Sequence, residues 1–371
     1  MIYIHVPFCK SKCIYCDFYS TVQNPVLQTR YVRALCQELK NRRDYLPNCE
    51  IHSIYFGGGT PSMLSLVEIE TVMKCIRQQY KVNLKAEITF EANPDDITPE
   101  LVRALIELGF NRVSLGVQTF DDKLLRMLNR RHTSQKACEA VYTLVHEGIT
   151  NVSIDLIYGL PHQTLEGFQT DLTRAFTLPI THLSSYALSV EENTVLFQKI
   201  KRGELQLPDE DLFLKEYTAL MNEAEAHKFE HYEISNFALP GYESRHNSGY
   251  WLGTPYLGCG PGAHSFDGKN RWYNLPNLFK YVQMSSIPPH EVEILNCEER
   301  FNEFIMVSLR TRRGINLQKI EDRFGTVFLR HTIQIAASAI KKGLLENCNG
   351  FLKLTRNGIF VSDDIMSDFM M

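Results

Sequence analysis

No stretch of this sequence stays apolar long enough to cross a bilayer. The longest runs, such as Val152 to Leu160, are broken by polar residues well short of the ~18 residues a spanning helix needs. The opening MIYIHV lacks the basic start, the apolar run and the small-residue cleavage site of a secretory leader, so the expected location is the cytoplasm. Charge of one sign is scarce as well. With 39 Lys and Arg against 43 Asp and Glu, the formal net charge is -4 and the pI about 6.3. That balance gives no broad attraction to nucleic acid or to an anionic membrane, and either partner would need a local patch. Internal repeats and low-complexity segments are absent. In a reducing compartment the ten cysteines are not a disulfide framework. Only Cys9, Cys13 and Cys16 cluster; Cys36, Cys49, Cys75, Cys138, Cys259, Cys297 and Cys348 stand alone, and most are expected to be small buried hydrophobes.

What is present is an ordinary globular composition, 44% hydrophobic and 22% charged, over 371 residues. Single cores stop growing near ~250 to 300 residues, so two domains are expected. Strand-like runs recur at Ile2 to Val6, Ile51 to Phe56, Glu87 to Glu91, Arg112 to Val117, Val152 to Ile157 and Leu183 to Leu188. Between them apolar residues fall at helical spacing, as in Tyr31, Leu35 and Leu39, or Leu165, Phe168, Leu172 and Phe176. Strand and helix in alternation predict a parallel sheet, doubly wound or a partial barrel. Polar or glycine residues end each strand: the cysteines, Gly57 to Thr60, Glu91, Gln118 and Tyr186. Parallel barrels gather their sites on that face, which favours an α/β fold with an incomplete TIM-like (β/α)6 barrel. The expected division is a barrel over 1–230, a connecting segment over 231–290 and a C-terminal α+β domain over 291–371. In the last, helices at Glu299 to Arg313, Leu317 to Phe324 and Phe328 to Lys342 precede a hairpin signal at Asn349-Gly350, which together look like a winged helix. Arg310, Arg312 and Arg313 cluster there, but acidic neighbours counter them, and packing or docking is expected rather than DNA recognition.

The strongest chemical signal is HVPFCKSKCIYCDF, which puts three thiols within eight residues on a loop after the first strand. Thiolates are the usual ligands of iron-sulfur clusters, and such a loop can serve three corners of a cubane. The fourth iron would be left for a small chelator, for which an amino acid's amino and carboxylate groups are suited. The competing reading is a zinc site of the three cysteines with His5 or another histidine, although no second ligand arm follows. Next comes YFGGGTPS at 55–62, where glycines end a strand and allow a ligand close to the backbone; the lysine of a P-loop is missing.

Together with YIHVPFC, FEANP, LGVQTF, LNRRH and IDLIYGLP, these motifs resemble the radical S-adenosylmethionine superfamily over roughly residues 1–230, and within it the branch of oxygen-independent coproporphyrinogen III oxidase and the HemW-like haem chaperones. The resemblance implies a 4Fe-4S cluster on Cys9, Cys13 and Cys16. It also implies S-adenosylmethionine contacts by Tyr3, Tyr15, Gly58, Gly59, Thr60, Glu91, Gln118, Arg130 and Asp155. Glu91 and Asp155 suit ribose hydroxyls or an amine, and Arg130 suits a carboxylate. Read without the resemblance, Arg130 would be a solvated helix end, whereas Asp155 in an apolar strand already points to a site.

Two features separate the branches. The oxidases carry a further cysteine two residues after the third, where this chain has Phe18. The run RHNSGYW resembles the His-Asn-x-x-Tyr-Trp pattern of the HemW-like branch and offers His246, Tyr250 and Trp251 as haem contacts, against the plainer reading of a packed core group. GCGPGAHSF adds Cys259 and His264 as further candidates, while His182 and His231 are expected to be structural. The expectation is a haem carrier that passes haem to apo-haemoproteins, respiratory-chain acceptors among them, with the oxidase as alternative and a nucleic-acid regulator as a third reading. No nucleic-acid partner is expected, and the sequence leaves room for a homodimer and for peripheral membrane contact.

Overall fold

The computed structural model describes residues 1–22, 24–46 and 50–371, so Cys49 lies outside the described residues. Six strands, β1 (Ile2–Val6), β2 (Ile51–Gly58), β3 (Val82–Ala92), β4 (Arg112–Gln118), β5 (Asn151–Tyr158) and β6 (His182–Ala187), run parallel, side by side in sequence order. Their side chains alternate. Ile4, Phe56, Phe90, Leu115, Ile154 and Leu183 enter one apolar core. His5, Tyr55, Glu91, Ser114, Asp155 and Ser184 occupy the intervening positions. Parallel strands packed on both faces usually read as continuous apolar runs; these alternate because their inner face is polar. A one-residue slip would drive Glu91 and Asp155 into the core, which pins the register.

The outer core lies under helices that each start on a side-chain cap. Asn24 caps α1 (Pro25–Asn41), Ser65 caps α2 (Leu66–Gln79) in a capping box with Glu68, and Thr98 caps α3 (Pro99–Glu107). Thr133, Thr164 and Asp209 do the same for α4 (Ser134–Glu147), α5 (Leu165–Thr177) and α6 (Glu210–Ala226). Each cap contributes about 1 kcal/mol.

The segment 231–290, expected as a connection, instead extends this sheet. Strands β7 (Glu230–Glu233) and β8 (Asn236–Ala238) add antiparallel beyond β6, and β9 (Leu257–Cys259) adds parallel beside β1, giving nine strands. Runs of three or four residues are too short to show a period, which is why they were not legible. The two ends of the sheet do not pair among the described residues, so the barrel is incomplete. The segment also holds α7 (Arg245–Trp251) and a separate three-stranded sheet of β10 (His264–Phe266), β11 (Asn270–Asn274) and β12 (His290–Ile294). A buried carboxylate ties it down. Glu38 accepts from Arg42 at 3.0 Å, the Gly260 N–H at 2.9 Å, Asn274 at 2.8 Å and the Tyr281 hydroxyl at 2.6 Å.

The C-terminal unit comprises α8 (Cys297–Leu309), β13 (Ile315–Asn316), α9 (Leu317–Phe324), α10 (Thr326–Lys341), β14 (Leu345–Cys348) and β15 (Phe351–Leu354) around its own core of Phe301, Ile305, Ile320, Leu352 and Phe369. Asn349 and Gly350 both take positive φ, 53° and 82°, the requirement of a tight hairpin. Two short helices, Arg356–Ile359 and Ser362–Asp368, follow without having been anticipated. The unit docks on the sheet edge: the Ile234 N–H donates to the Arg310 carbonyl at 3.0 Å and the Arg312 N–H to that of Tyr232 at 3.1 Å. Arg312 pairs with Glu230 at 2.6 Å and Arg310 lies 4.9 Å over the Trp251 ring, so two of the three clustered arginines are committed to docking.

Candidate functional site

The cysteine loop leaves β1 and is held from three sides. The Gly59 N–H donates to the Val6 carbonyl at 2.8 Å and the Thr60 N–H to that of Phe8 at 2.7 Å. The Ile14 N–H reaches Leu128 O at 3.3 Å, and Asn129 donates to the Lys12 carbonyl at 2.8 Å. Cys9, Cys13 and Cys16 are half-buried free thiols that line a cavity of about 400 Å³. Tyr15, Gly58, Gly59, Thr60, Glu91, Gln118, Arg130 and Asp155 line it with them, at the C-terminal ends of the strands.

Several of these side chains are tethered. Arg130 donates to Cys13 Sγ at 3.4 Å, Asn93 Oδ1 at 2.7 Å and the Gly116 carbonyl at 2.5 Å, while its Nε is buried without a partner. A solvated helix end is thereby excluded for Arg130. Glu91 accepts from Tyr55 at 2.5 Å and from the Gly58 N–H at 3.3 Å. Burial still lifts its carboxyl to about 7, and burial lifts Asp155 to about 6 against the bonds from Ser184 and Ser114. Burial also raises the Cys16 thiol to about 11, so iron binding there must displace a proton. Gln118 takes φ 70°, a left-handed backbone at a non-glycine residue and a form of strain found at functional sites. Asn93 and Ser114 belong to the same cavity and were missed; Asn93 sits two residues after Glu91 in the FEANP run, which was the available signal.

The residues fit a cluster better than a lone ion. No three His, Cys, Asp or Glu groups among the described residues converge to hold one metal ion. His5 is not free to be a fourth ligand, since its Nδ1 meets the Tyr3 hydroxyl at 3.2 Å and its Nε2 the Tyr19 carbonyl at 2.8 Å. Soft thiolates at three separate corners, with an open fourth, are the donor set of an iron-sulfur cluster. When bound, cluster and S-adenosylmethionine would supply one-electron chemistry.

Several expectations differ from what the structure shows. Tyr3 does not reach the cysteine cavity; it faces a second, larger one. His246 faces neither. It is 1% exposed, with Nδ1 against the Ser53 hydroxyl at 2.9 Å and Nε2 against the Tyr250 hydroxyl at 2.9 Å. Glu87, on the inner face of β3, caps α7 by accepting from the N–H groups of Arg245 and His246, both at 3.0 Å. Burial holds the His246 imidazole neutral down to about 3. This histidine anchors a plug inside the barrel, and both nitrogens are spent on doing so. Cys259 is likewise fully buried in β9 and faces neither cavity. Of the other cysteines, Cys75 is buried, Cys36, Cys138 and Cys348 are half-buried and Cys297 is exposed, so fewer are core residues than expected. Cys36 and Cys75 are also neighbours, the Cys75 thiol donating to the Cys36 carbonyl at 3.5 Å. His182 and His231 are structural, bonded to Ser153 and Tyr232 and to the Ile234 carbonyl respectively.

The larger cavity, about 1210 Å³, lies between the barrel's last segment and the C-terminal unit. Tyr250, Trp251, Tyr256 and Phe266 face Phe304 and Phe351 across it. Asp17 and Phe18 line both cavities. Phe18 is 61% exposed and follows Cys16 by two residues.

An incomplete barrel with three thiols over the strand ends, beside an open polar cavity, is the architecture of a radical S-adenosylmethionine protein. The family model described as Radical SAM superfamily matches residues 3–175, and that described as HemN C-terminal domain matches residues 295–361. Among solved structures, the coproporphyrinogen III oxidase HemN of Escherichia coli superposes with a TM-score of 0.87 at 24% identity, covering 100% of this chain and 89% of that one, a likeness of fold. Among curated relatives, heme chaperone HemW of Lactococcus lactis is 33% identical over 370 residues, covering 100% of this chain and 97% of the relative. Heme chaperone HemW of Bacillus subtilis is also 33% identical, over 374 residues covering 99% and 98%. The chain belongs to the HemW family.

Proposed function

We propose that this chain is a haem chaperone: it holds a 4Fe-4S cluster on Cys9, Cys13 and Cys16 with S-adenosylmethionine at the open iron, carries haem, and passes it to apo-haemoproteins. The observation that carries this reading is the second cavity, which is large, aromatic and adjoins the cysteine cavity at Asp17 and Phe18. At about 1210 Å³ it exceeds the roughly 300 to 1,000 Å³ usual for small-molecule sites, and flat rings such as Tyr250 and Trp251 suit a macrocycle. The full-length relatives named as heme chaperones support the same assignment. Phe18, in place of a further cysteine, argues against the oxidase. On the cofactor side, Gly58, Gly59 and Thr60 would admit the methionine end of the cofactor, Glu91 and Asp155 would meet its amine or ribose hydroxyls, and Gln118, Arg130 and Tyr15 would border it. The reading places the protein in the cytoplasm with respiratory-chain haemoproteins among its acceptors; among the described residues no helix is long and apolar enough to cross a membrane.

The test is an anaerobic purification and cluster reconstitution followed by two assays. Haem titration should give a saturable spectrum, and an apo-haemoprotein should then withdraw the haem. Supplied instead with coproporphyrinogen III, S-adenosylmethionine and a reductant, the protein should form no vinyl product; turnover to vinyl groups would overturn the chaperone reading.

A further inference from the structure

With His246 sealed inside the barrel, the larger cavity needs another source for an iron ligand, and its lining is selective. It contains two histidines, His5 and His264, and no cysteine or methionine. Both nitrogens of His5 are engaged. Three of its tyrosines have occupied hydroxyls: Tyr3 on His5, Tyr250 on His246, and Tyr19 accepting from the Leu278 N–H at 2.7 Å. The phenol of Tyr256 is held protonated by burial, which withholds the tyrosinate that iron would require. His264 is different. It lies on β10, which turns His264 and Phe266 toward the cavity while the intervening Ser265 is buried against Arg42 and Gly258. Its ring is exposed and stacks on Tyr273, its cross-strand partner, at 5.2 Å and 19°, and neither ring nitrogen has a hydrogen bond among the described residues. Partial burial favours the neutral imidazole, the form that ligates metals.

The opposite wall is basic. Arg300, Arg313, Lys319, Arg323 and Lys353 line the cavity without an ion-pair partner among the described residues, whereas Arg271 and Arg312 are paired with Glu303 and Glu230. Asp17 and Glu303 are the only acidic groups in the described lining. A large cavity that joins aromatic rings to one free imidazole and unpaired cations in its lining matches a flat, iron-bearing dianion.

We infer that His264 is the axial ligand of haem in this cavity, and that the wall carrying Arg313, Lys319 and Arg323 receives the two propionates. The inference rests on the haem-carrier reading and adds to it the site and the ligand. The imidazole donates its lone pair to the iron, and no redox step is involved. Its position beside Tyr273 sets the ring plane, as a supporting contact does for other metal-bound histidines.

The experiment titrates ferric haem into the full-length protein and follows the Soret band and the electron paramagnetic resonance of the iron. His264→Ala should weaken binding at least ~10-fold, equivalent to about 1.4 kcal/mol, and shift the spectrum. Added imidazole should restore the wild-type spectrum, which a merely structural histidine would not allow. His264→Met keeps a side chain over Tyr273 and exchanges nitrogen for sulfur, so it decides the matter should the alanine variant misfold; it should give a sulfur-ligated spectrum. Lys319→Glu with Arg323→Glu should weaken haem but not its dimethyl ester, whose propionates are uncharged. Wild-type affinity and spectrum in both His264 variants would overturn the ligand assignment while leaving the carrier intact. Equal weakening for haem and its ester would overturn the propionate wall. Failure of the wild-type protein to take up haem would remove the carrier reading itself.

Discussion

Gly59→Ala tests how tightly the cysteine loop is tied to the strand beneath it. A Cβ built on Gly59 would stand 2.7 Å from the Phe8 carbonyl oxygen, 2.8 Å from that of Val6 and 3.1 Å from Cys9 Sγ. Two of these neighbours are backbone and cannot rotate away. Relief requires the end of β1 and the start of the cysteine loop to move off β2, which stretches the two hydrogen bonds from the Gly59 and Thr60 N–H groups, now 2.8 and 2.7 Å. Overpacking of this kind costs about 1 to 3 kcal/mol, and each weakened hydrogen bond up to about 1 kcal/mol. The expected loss is about 2 to 4 kcal/mol in the metal-free chain. The assay is a denaturant titration of wild type and variant, with iron and acid-labile sulfide counted after anaerobic reconstitution. Both stability and iron content should fall, because the atom displaced with the backbone is the Cys9 thiol, the first of the three proposed to hold the cluster. A variant matching wild type in both would refute the coupling of glycine run to cysteine loop.

Other perturbations follow from the buried network and the plug. Glu38→Ala would strand the Arg42 guanidinium, which is 4% exposed, and is expected to cost about 3 to 5 kcal/mol by calorimetry or denaturation. The same variant should weaken haem binding, since Glu38 positions the segment from Gly260 to Tyr281. His246 stays neutral to about 3 in the fold but protonates near 6.5 when unfolded, so the unfolded chain binds more protons in that window and stability falls as pH drops. Between pH 7 and 5 this residue should remove about 2 kcal/mol that His246→Gln does not lose, so two parallel stability curves would sink the assignment. Gly350→Ala forces a side chain into the left-handed position at φ 82° and should destabilise the C-terminal hairpin by about 1 kcal/mol, read as a lower melting temperature, with iron content unchanged.

Much of this protein was legible in the residue order because its signals are local. Six strands, three of the C-terminal helices and the Asn349-Gly350 turn follow from periodicity and turn chemistry, which act over a few residues. The cysteine spacing pointed to a cluster for the same reason: three thiols on one short loop need no distant partner. Glu91 stood out as a polar strand end and Asp155 as a carboxylate inside an apolar strand, both signals carried by a few neighbouring residues. The chain alone could not show where the remaining ring nitrogens point. His246 sits in the most suggestive aromatic motif, yet Ser53 and Glu87, brought from β2 and β3, close around it together with Tyr250 of its own helix. His264 sits in a glycine-rich turn with little to mark it, yet its strand register turns it toward the larger of the two cavities. Those assignments depend on contacts across hundreds of residues, through the pairing of β9 with β1 and the docking of the C-terminal unit on β7. Local pattern determined the cofactor loop; only tertiary packing decided which histidine is occupied and which is free.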